Sequence, residues 1–200
     1  MTPILSDLEA HVMELQARYQ CPLQFYEARA YLMGAVACPA INANSDQALR
    51  AIWENQLPKF LSVDDADYFF DVIAKQFWNS LIQHQEASNP FYLVKYKYEP
   101  ALKHLSELLD IRCDEISSFI DGISGPDYEA NLCDKAIACV DALDYNLDLM
   151  SELSCAIIDQ EAKKQEDRYH DLLAELEYLV TASEREINKA ISSAIKRHEA

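Results

Sequence analysis

Apolar residues recur at intervals of three and four along most of this chain, which is the spacing that places side chains on one face of an α-helix. In the first segment, residues 6–19, Leu8, Val12, Leu15 and Tyr19 share such a face, and Ser6 is a candidate N-cap. The same reasoning predicts further helices at about residues 23–38, 46–57, 62–84, 102–109, 114–123, 127–158 and 169–195.

The pattern therefore predicts an all-α fold, a single-domain bundle of about seven to eight helices with long helices at the C-terminal end. The chain has three glycines, Gly34, Gly122 and Gly125, so tight β-hairpins and glycine-rich phosphate loops have little to form from. We expect one domain over residues 1–200 with a core at about 6–158. The last helix, within residues 160–200, folds back on that core, projects from it or forms a dimer interface; the sequence leaves these alternatives open.

One stretch departs from the helical pattern. Between residues 86 and 100, Val94, Tyr96 and Tyr98 alternate with Lys95 and Lys97, as in a β-strand. The sequence shows no second strand that could pair with it. We therefore expect an extended connector between two helices.

Residues 134–157 place acidic and apolar side chains on opposite faces of one helix. At about 100° per residue, Asp134, Asp141, Asp144, Asp148 and Glu152 fall on one face. The other face is apolar and consists of Ala136, Val140, Leu143, Leu147, Met150 and Ile157. We expect the apolar face to be buried and the acidic face to be exposed, either as an ordinary solvated surface or as a docking surface for a basic partner.

The net charge of the chain argues against two classes of binding partner, nucleic acids and membranes. The chain carries 34 acidic and 17 basic residues, a formal net charge of −17 at pH 7. Such a surface repels phosphate backbones and anionic lipids, because nucleic-acid affinity comes chiefly from Lys and Arg. No apolar run approaches the roughly 20 residues of a membrane span. We therefore expect no direct binding of nucleic acid and no membrane insertion.

The six cysteines show no metal-binding pattern. They form no Cys-x-x-Cys pair and have no histidine at zinc-finger spacing. A core of this size does not need disulfides, and the first residues do not form a basic-then-apolar leader. We expect reduced thiols, mostly packed as small apolar residues, and a cytoplasmic location.

Two kinds of reactive site are alternatives to a plain packing role. A carboxylate-bridged di-iron bundle needs two Glu-x-x-His units, whereas this chain has one Asp-x-x-His, formed by Asp167 and His170. Cys38, at a predicted helix end, is a candidate nucleophile if His84 or His104 approaches it. In each case a solvated or packed side chain is the simpler interpretation, and we expect no bound metal or cofactor.

Two packing features are also visible in the sequence. Gly34 lies within an apolar helix, where glycine costs about 1 kcal/mol relative to alanine and most often permits two helices to cross closely. A cluster of aromatic residues covers too much of its predicted helix to lie on one buried face. These residues belong either to the core or, in part, to a groove that binds a peptide or a helix. The cluster consists of Tyr68, Phe69, Phe70, Phe77 and Trp78.

Two stretches resemble a known family. Residues 28–55 read ARAYLMGAVACPAINANSDQALRAIWEN, and residues 113–125 read CDEISSFIDGISG. The first resembles the helix, Pro-containing loop and Trp-bearing short helix of the YecA/YgfB family of small bacterial helical proteins, and the second resembles that family's Trp-Cys helix with spaced glycines. Gly122 takes the place of the final glycine, whereas Glu115 and Ile116 stand where Trp and Cys are usual.

The resemblance covers roughly residues 23–158. It implies an all-helical bundle, often paired as a homodimer, with no established catalytic activity. Some members carry a cysteine-rich zinc tail, whereas this chain ends in Lys-Arg-His-Glu-Ala. The resemblance therefore implies no metal site here.

These observations favour a non-enzymatic cytoplasmic helical protein that acts as an adaptor or regulator by binding another protein. The acidic face of Asp134, Asp141, Asp144, Asp148 and Glu152 would contact a basic surface of the partner, and we expect the chain to form a homodimer. Three alternatives stay open: a metal- or thiol-dependent enzyme with a site between helices, a mimic of nucleic acid, and a structural dimer that pairs through the last helix.

Overall fold

The structure is a computed structural model that describes residues 1–38, 45–54, 56–125, 132–163 and 166–195. Its α-helices are α1 (Asp7–Arg18), α2 (Phe25–Ala37), α3 (Ser45–Ala51), α4 (Val63–Phe70), α5 (Trp78–Glu86), α6 (Leu102–Ser124), α7 (Asp134–Ala162) and α8 (Tyr169–Ile195). A π-helical segment, Asp71–Phe77, joins α4 to α5, and a 3-10 turn, Glu166–Arg168, precedes α8. Two short strands are β1 (Thr2–Pro3) and β2 (Tyr96–Lys97). The predicted all-α class is confirmed.

The helices α2 and α6 cross closely at two glycines. A Cβ atom on Gly34 would lie 2.4 Å from the carbonyl oxygen of Phe119, and one on Gly122 would lie 2.0 Å from the carbonyl oxygen of Tyr31. Because both neighbours are backbone atoms, a larger residue at either position would push the helices apart. The close crossing predicted at Gly34 is confirmed, and Gly122 is its counterpart on α6.

α6 is one continuous helix, whereas the sequence pattern predicted two, at residues 102–109 and 114–123. That prediction was wrong, because the intervening residues include neither proline nor glycine. Arg112 interrupts the apolar stripe in the sequence, yet it lies on the buried face of the helix. The predicted helix start at residue 127 falls outside the described residues; α7 begins at Asp134, after Cys133 in an extended conformation.

α7 and α8 pack against each other, and both also contact α6. Between them, the Asn146 amide donates a hydrogen bond to the Ser183 hydroxyl at 3.2 Å, and that hydroxyl donates to the Leu179 carbonyl at 2.9 Å. The last helix therefore packs on the body of the fold and does not project from it. Its buried side chains include Leu172, Leu176, Leu179, Ile187, Ala190, Ile191 and Ala194.

The extended connector has a partner strand, contrary to the expectation from the sequence. β2 pairs with β1 in antiparallel register, with Thr2 opposite Lys97 and Pro3 opposite Tyr96. The partner was missed because β1 has only two residues and no alternating pattern. Proline is compatible with this position because an edge strand can lack an amide donor.

Most of the aromatic cluster belongs to the core. Phe69, Phe77 and Trp78 are buried, whereas Tyr68 is 49% exposed. The ring centroid of Phe69 lies 5.2 Å from those of Tyr19, Trp53 and Phe60. The core interpretation of these residues is thus confirmed except at Tyr68. None of the helices in the described ranges is long and apolar enough to cross a membrane.

Candidate functional site

The acidic face of α7 is exposed to solvent, as the sequence predicted. Asp134, Asp141, Asp144, Asp148 and Glu152, which we call the acidic ridge, are all exposed. By the rise of a helix they extend over about 27 Å. On the opposite face, the side chains of Ala136, Val140, Leu143, Met150 and Ile157 are buried and that of Leu147 is half-buried.

The outer line of α7 also carries groups that are not acidic. Exposed residues follow Asp134 at alternating spacings of four and three, and they include Tyr145 and Cys155. The Tyr145 side chain is 63% exposed, in the middle of the acidic ridge. A tyrosine ring can stack on an arginine guanidinium, so this surface offers an aromatic contact beside its carboxylates.

The charge of the acidic ridge has no counter-ion within the described residues. α7 contains seven acids and one base, Lys135, in its 29 residues. In the part of the chain that the structure describes, Asp141, Asp144, Asp148 and Glu152 take part in none of the salt bridges. The negative charge therefore faces the solvent uncompensated.

Asp144 shows the effect of this crowding. It lies three residues from Asp141 and four from Asp148, so their Cβ atoms are about 5–6 Å apart, less than the Debye length of about 8 Å at physiological salt. Partial burial raises the pKa of Asp144, and the charges of Asp141 and Asp148 raise it further. A bound cationic group would relieve this repulsion.

The thiol and imidazole groups considered for catalysis are on different elements. Cys38 follows the end of α2 and is buried. The Nε2 atom of His84, in α5, donates to the Pro90 carbonyl at 3.0 Å, and the Nδ1 atom of His104, in α6, donates to the Glu99 carbonyl at 2.8 Å. Each imidazole is thus bonded to the backbone of a neighbouring loop.

The possible metal ligands are not gathered into a cluster within the described residues. Asp167, in the 3-10 turn before α8, and His170, at the start of α8, are both exposed. Within the described ranges, no three His, Cys, Asp or Glu side chains come together as metal ligands do. All six cysteines are free thiols. Cys155 is exposed, whereas the sequence led us to expect mostly packed thiols.

A buried ion pair beside the connector was not anticipated. Arg112 and Glu115 of α6 form a salt bridge, with side-chain exposures of 9% and 1%. The Oε1 atom of Glu115 also accepts a hydrogen bond from the Val94 amide at 2.8 Å. Burial raises the pKa of Glu115, an effect that the charge of Arg112 opposes. The sequence did indicate that these two residues are buried, because Arg112 and Glu115 lie between Leu109 and Phe119 at spacings of three and four, on one face of the helix.

Side chains of α8 also hold the connector. The Glu184 carboxylate accepts from the Leu93 amide at 2.9 Å, and the Asn188 amide bonds both the N–H and the carbonyl of Phe91. These groups satisfy a backbone that would otherwise need a neighbouring strand. The sequence did not indicate them, because nothing in the helical pattern shows which loop a polar side chain meets.

Comparison of the chain with known protein families, curated proteins and solved structures found no match. The resemblance of residues 23–158 to the YecA/YgfB family therefore stays a prediction.

Proposed function

We propose that this chain is a non-enzymatic helical protein of the cytoplasm that acts as an adaptor or regulator by binding a second protein through the acidic ridge. The observation that supports this most is the row of exposed carboxylates on α7, with no counter-ion among the described residues. The six free thiols fit a reducing compartment.

The partner would present a basic surface. Uncompensated charge on a rigid helix attracts a complementary patch and speeds association, which weakens as salt rises. Tyr145 would supply the large, amphipathic contact that carries binding energy at protein interfaces. An arginine-rich helix or groove fits both the charge and the ring.

We also propose that the chain forms a homodimer through a surface other than the acidic ridge. A two-fold interface brings one patch against itself, so contact between two ridges would oppose carboxylates. The outer face of α8 carries Tyr178, which is 72% exposed. We expect Tyr178→Asp to give monomers in sedimentation equilibrium and Tyr145→Asp to leave the dimer intact. A monomeric parent protein would contradict this part of the proposal.

Mimicry of nucleic acid is a special case of the same proposal. Between Asp141 and Glu152 four carboxylates span about 16 Å of helix axis, or about one charge per 5 Å. One DNA strand carries one charge per 3.4 Å of axis. In this case the partner would be a nucleic-acid-binding protein, and duplex DNA or RNA would compete with the chain for its basic groove.

The test compares two charge-reversal variants in a pull-down at physiological salt. One carries Asp141→Lys, Asp144→Lys and Asp148→Lys on the acidic ridge. The control carries the same three changes at exposed acids elsewhere, Asp64, Asp67 and Asp171. Both variants have the same net charge, so a general charge effect is shared between them.

We expect proteins retained by the parent and by the control to be lost from the ridge variant. Retention of every partner by the ridge variant would overturn the proposal. Equal loss from both variants would overturn it as well, because it would show that net charge and not the ridge is responsible. Far-ultraviolet circular dichroism verifies that each variant keeps its helical content.

A further inference from the structure

A cleft of about 440 Å³ lies between α6, α8 and the paired strands β1 and β2, away from the acidic ridge. Its size falls within the range of small-molecule sites. One wall is apolar and is formed by Leu108 of α6 and by Leu173, Leu176 and Val180 of α8. Such a wall favours a ligand with a hydrocarbon body.

The polar end of the cleft contains an arginine whose hydrogen bonds are incomplete. Arg112 lines the cleft, and its side chain is only 9% exposed. Its Nη1 atom donates to Glu115, but its Nε–H is buried and has no partner among the described residues. A guanidinium has five N–H donors, and a buried donor without an acceptor is costly. The protein therefore does not use every donor of this guanidinium, which lines the cleft.

Two of the acids near the cleft, Glu115 and Glu184, already accept hydrogen bonds. Both carboxylate oxygens of Glu115 are used, one by Arg112 and one by the Val94 amide, and Glu184 accepts from the Leu93 amide. Lys95 lines the same cleft and is exposed, and the Tyr96 ring lies 5.8 Å from the Arg112 guanidinium carbon. Arg112 and Lys95 thus line the cleft. Of these two carboxylates, Glu184 is directed to the backbone, whereas Glu115 bonds both the backbone and Arg112.

We propose that this cleft binds a small amphipathic monocarboxylate, whose acid group is held by Arg112 and Lys95 and whose aliphatic or aryl body lies against the apolar wall. A carboxylate matches the planar fork of a guanidinium, and charge-assisted bonds of this kind are the strong ones. Glu177, which also lines the cleft and is exposed, adds one negative charge at its edge and disfavours ligands with several charges. The site is independent of the function proposed for the acidic ridge.

Isothermal titration of the full chain tests this with matched probes. Sodium octanoate and naphthoate are compared with octanol and naphthol, which have the same apolar bodies without the charge. We expect the two carboxylates to bind at one site and to bind at least about tenfold more tightly than the neutral compounds. Absence of octanoate and naphthoate binding, or equal affinity for the acid and the alcohol, would overturn the proposal and leave a cleft filled by water.

Variants locate the site. Arg112→Met is combined with Glu115→Gln, because removal of Arg112 alone would leave a buried carboxylate unpaired, whereas Gln keeps an oxygen for the Val94 amide. We expect this double variant to weaken carboxylate binding by about tenfold or more, with the affinity for octanol unchanged. An unchanged carboxylate affinity would contradict the proposal.

Two exposed lysines on the connector give a test that does not depend on the fold of the double variant. Lys95 lines the cleft, whereas Lys97, two residues further on, does not line it. We expect Lys95→Gln to weaken octanoate binding severalfold and Lys97→Gln to leave it unchanged. Equal effects of the two changes would overturn the assignment of the site.

Discussion

The side-chain amide of Asn188 and the backbone of Phe91 form two hydrogen bonds, one from the Phe91 N–H at 2.7 Å and one to the Phe91 carbonyl at 2.8 Å. The two residues are 97 positions apart. The amide accepts from and donates to this backbone as a neighbouring β-strand would. It therefore links the last helix to the connector in the middle of the chain. α8 therefore contributes to the stability of the body.

Replacement of Asn188 by Ala should reduce the free energy of unfolding by about 2 kcal/mol, because two partly buried backbone groups lose their partners. Hydrogen exchange at the Phe91 amide should accelerate. Ser192→Ala, one turn along α8, is the control, since its hydroxyl bonds only its own helix. Equal exchange rates in the two variants would show that the amide pair contributes little.

The glycine crossing gives a second prediction. Gly122→Ala should destabilise the protein by about 3 kcal/mol or more, because the new Cβ would meet the Tyr31 carbonyl oxygen, a backbone atom that cannot turn aside. Ser117→Ala, on the exposed side of α6, should change stability by less than about 0.5 kcal/mol. Urea titration measures both, and a Gly122→Ala protein as stable as the parent would contradict the close crossing.

The carboxylate of Glu184 should give stability a specific pH dependence. Burial raises the pKa of Glu184 above its ordinary 4.5, so between that value and the folded-state pKa the native protein binds more protons than the unfolded chain. This group therefore makes stability fall as pH rises through that interval. Gln keeps an oxygen for the Leu93 amide but does not ionise.

We accordingly expect Glu184→Gln to be more stable than the parent at neutral pH, with a difference that shrinks as the pH is lowered toward 4.5 and below. Thermal unfolding at a series of pH values measures this difference. Glu175→Gln, an exposed change on the same helix, is the control. A difference that grows on acidification would have the wrong sign for a raised pKa.

The six thiols should differ in reactivity. The thiolate is the nucleophile, and burial raises the pKa of Cys113 to about 11 and also raises those of Cys21 and Cys139. Cys155 is exposed on the outer line of α7. With limiting iodoacetamide near neutral pH, peptide mass spectrometry should find Cys155 modified first. Equal modification of Cys113 would contradict the burial described here.

How far the sequence predicts this fold depends on the kind of contact. Helical periodicity was sufficient for α7, where Ala136, Val140, Leu143, Met150 and Ile157 are buried, Leu147 is half-buried and the acids of the ridge are exposed. It also indicated a close crossing at Gly34. In both cases the information is local, since it is carried by the spacing within one helix.

Contacts between distant segments were not predictable in the same way. The pairing of Pro3 with Tyr96, and the reach of Asn188 to Phe91, depend on how the helices pack before these groups meet. The sequence pattern predicted a break between residues 109 and 114, where Arg112 interrupts the apolar stripe; a charged residue on a buried face is rare. Its acceptance there depends on Glu115, one turn away, and on the extended connector that covers both.

The salt dependence of partner binding tests the role of the acidic ridge most directly. A fluorophore on Cys155 reports contact with α7, and titration with a partner recovered by the parent protein gives the dissociation constant at several salt concentrations. We predict that affinity falls steeply with salt for the parent and for the control with reversed charges at Asp64, Asp67 and Asp171. For reversal at Asp141, Asp144 and Asp148 we predict weak binding with little salt dependence. Equal affinity and equal salt dependence in the two variants would contradict a docking role for the acidic ridge.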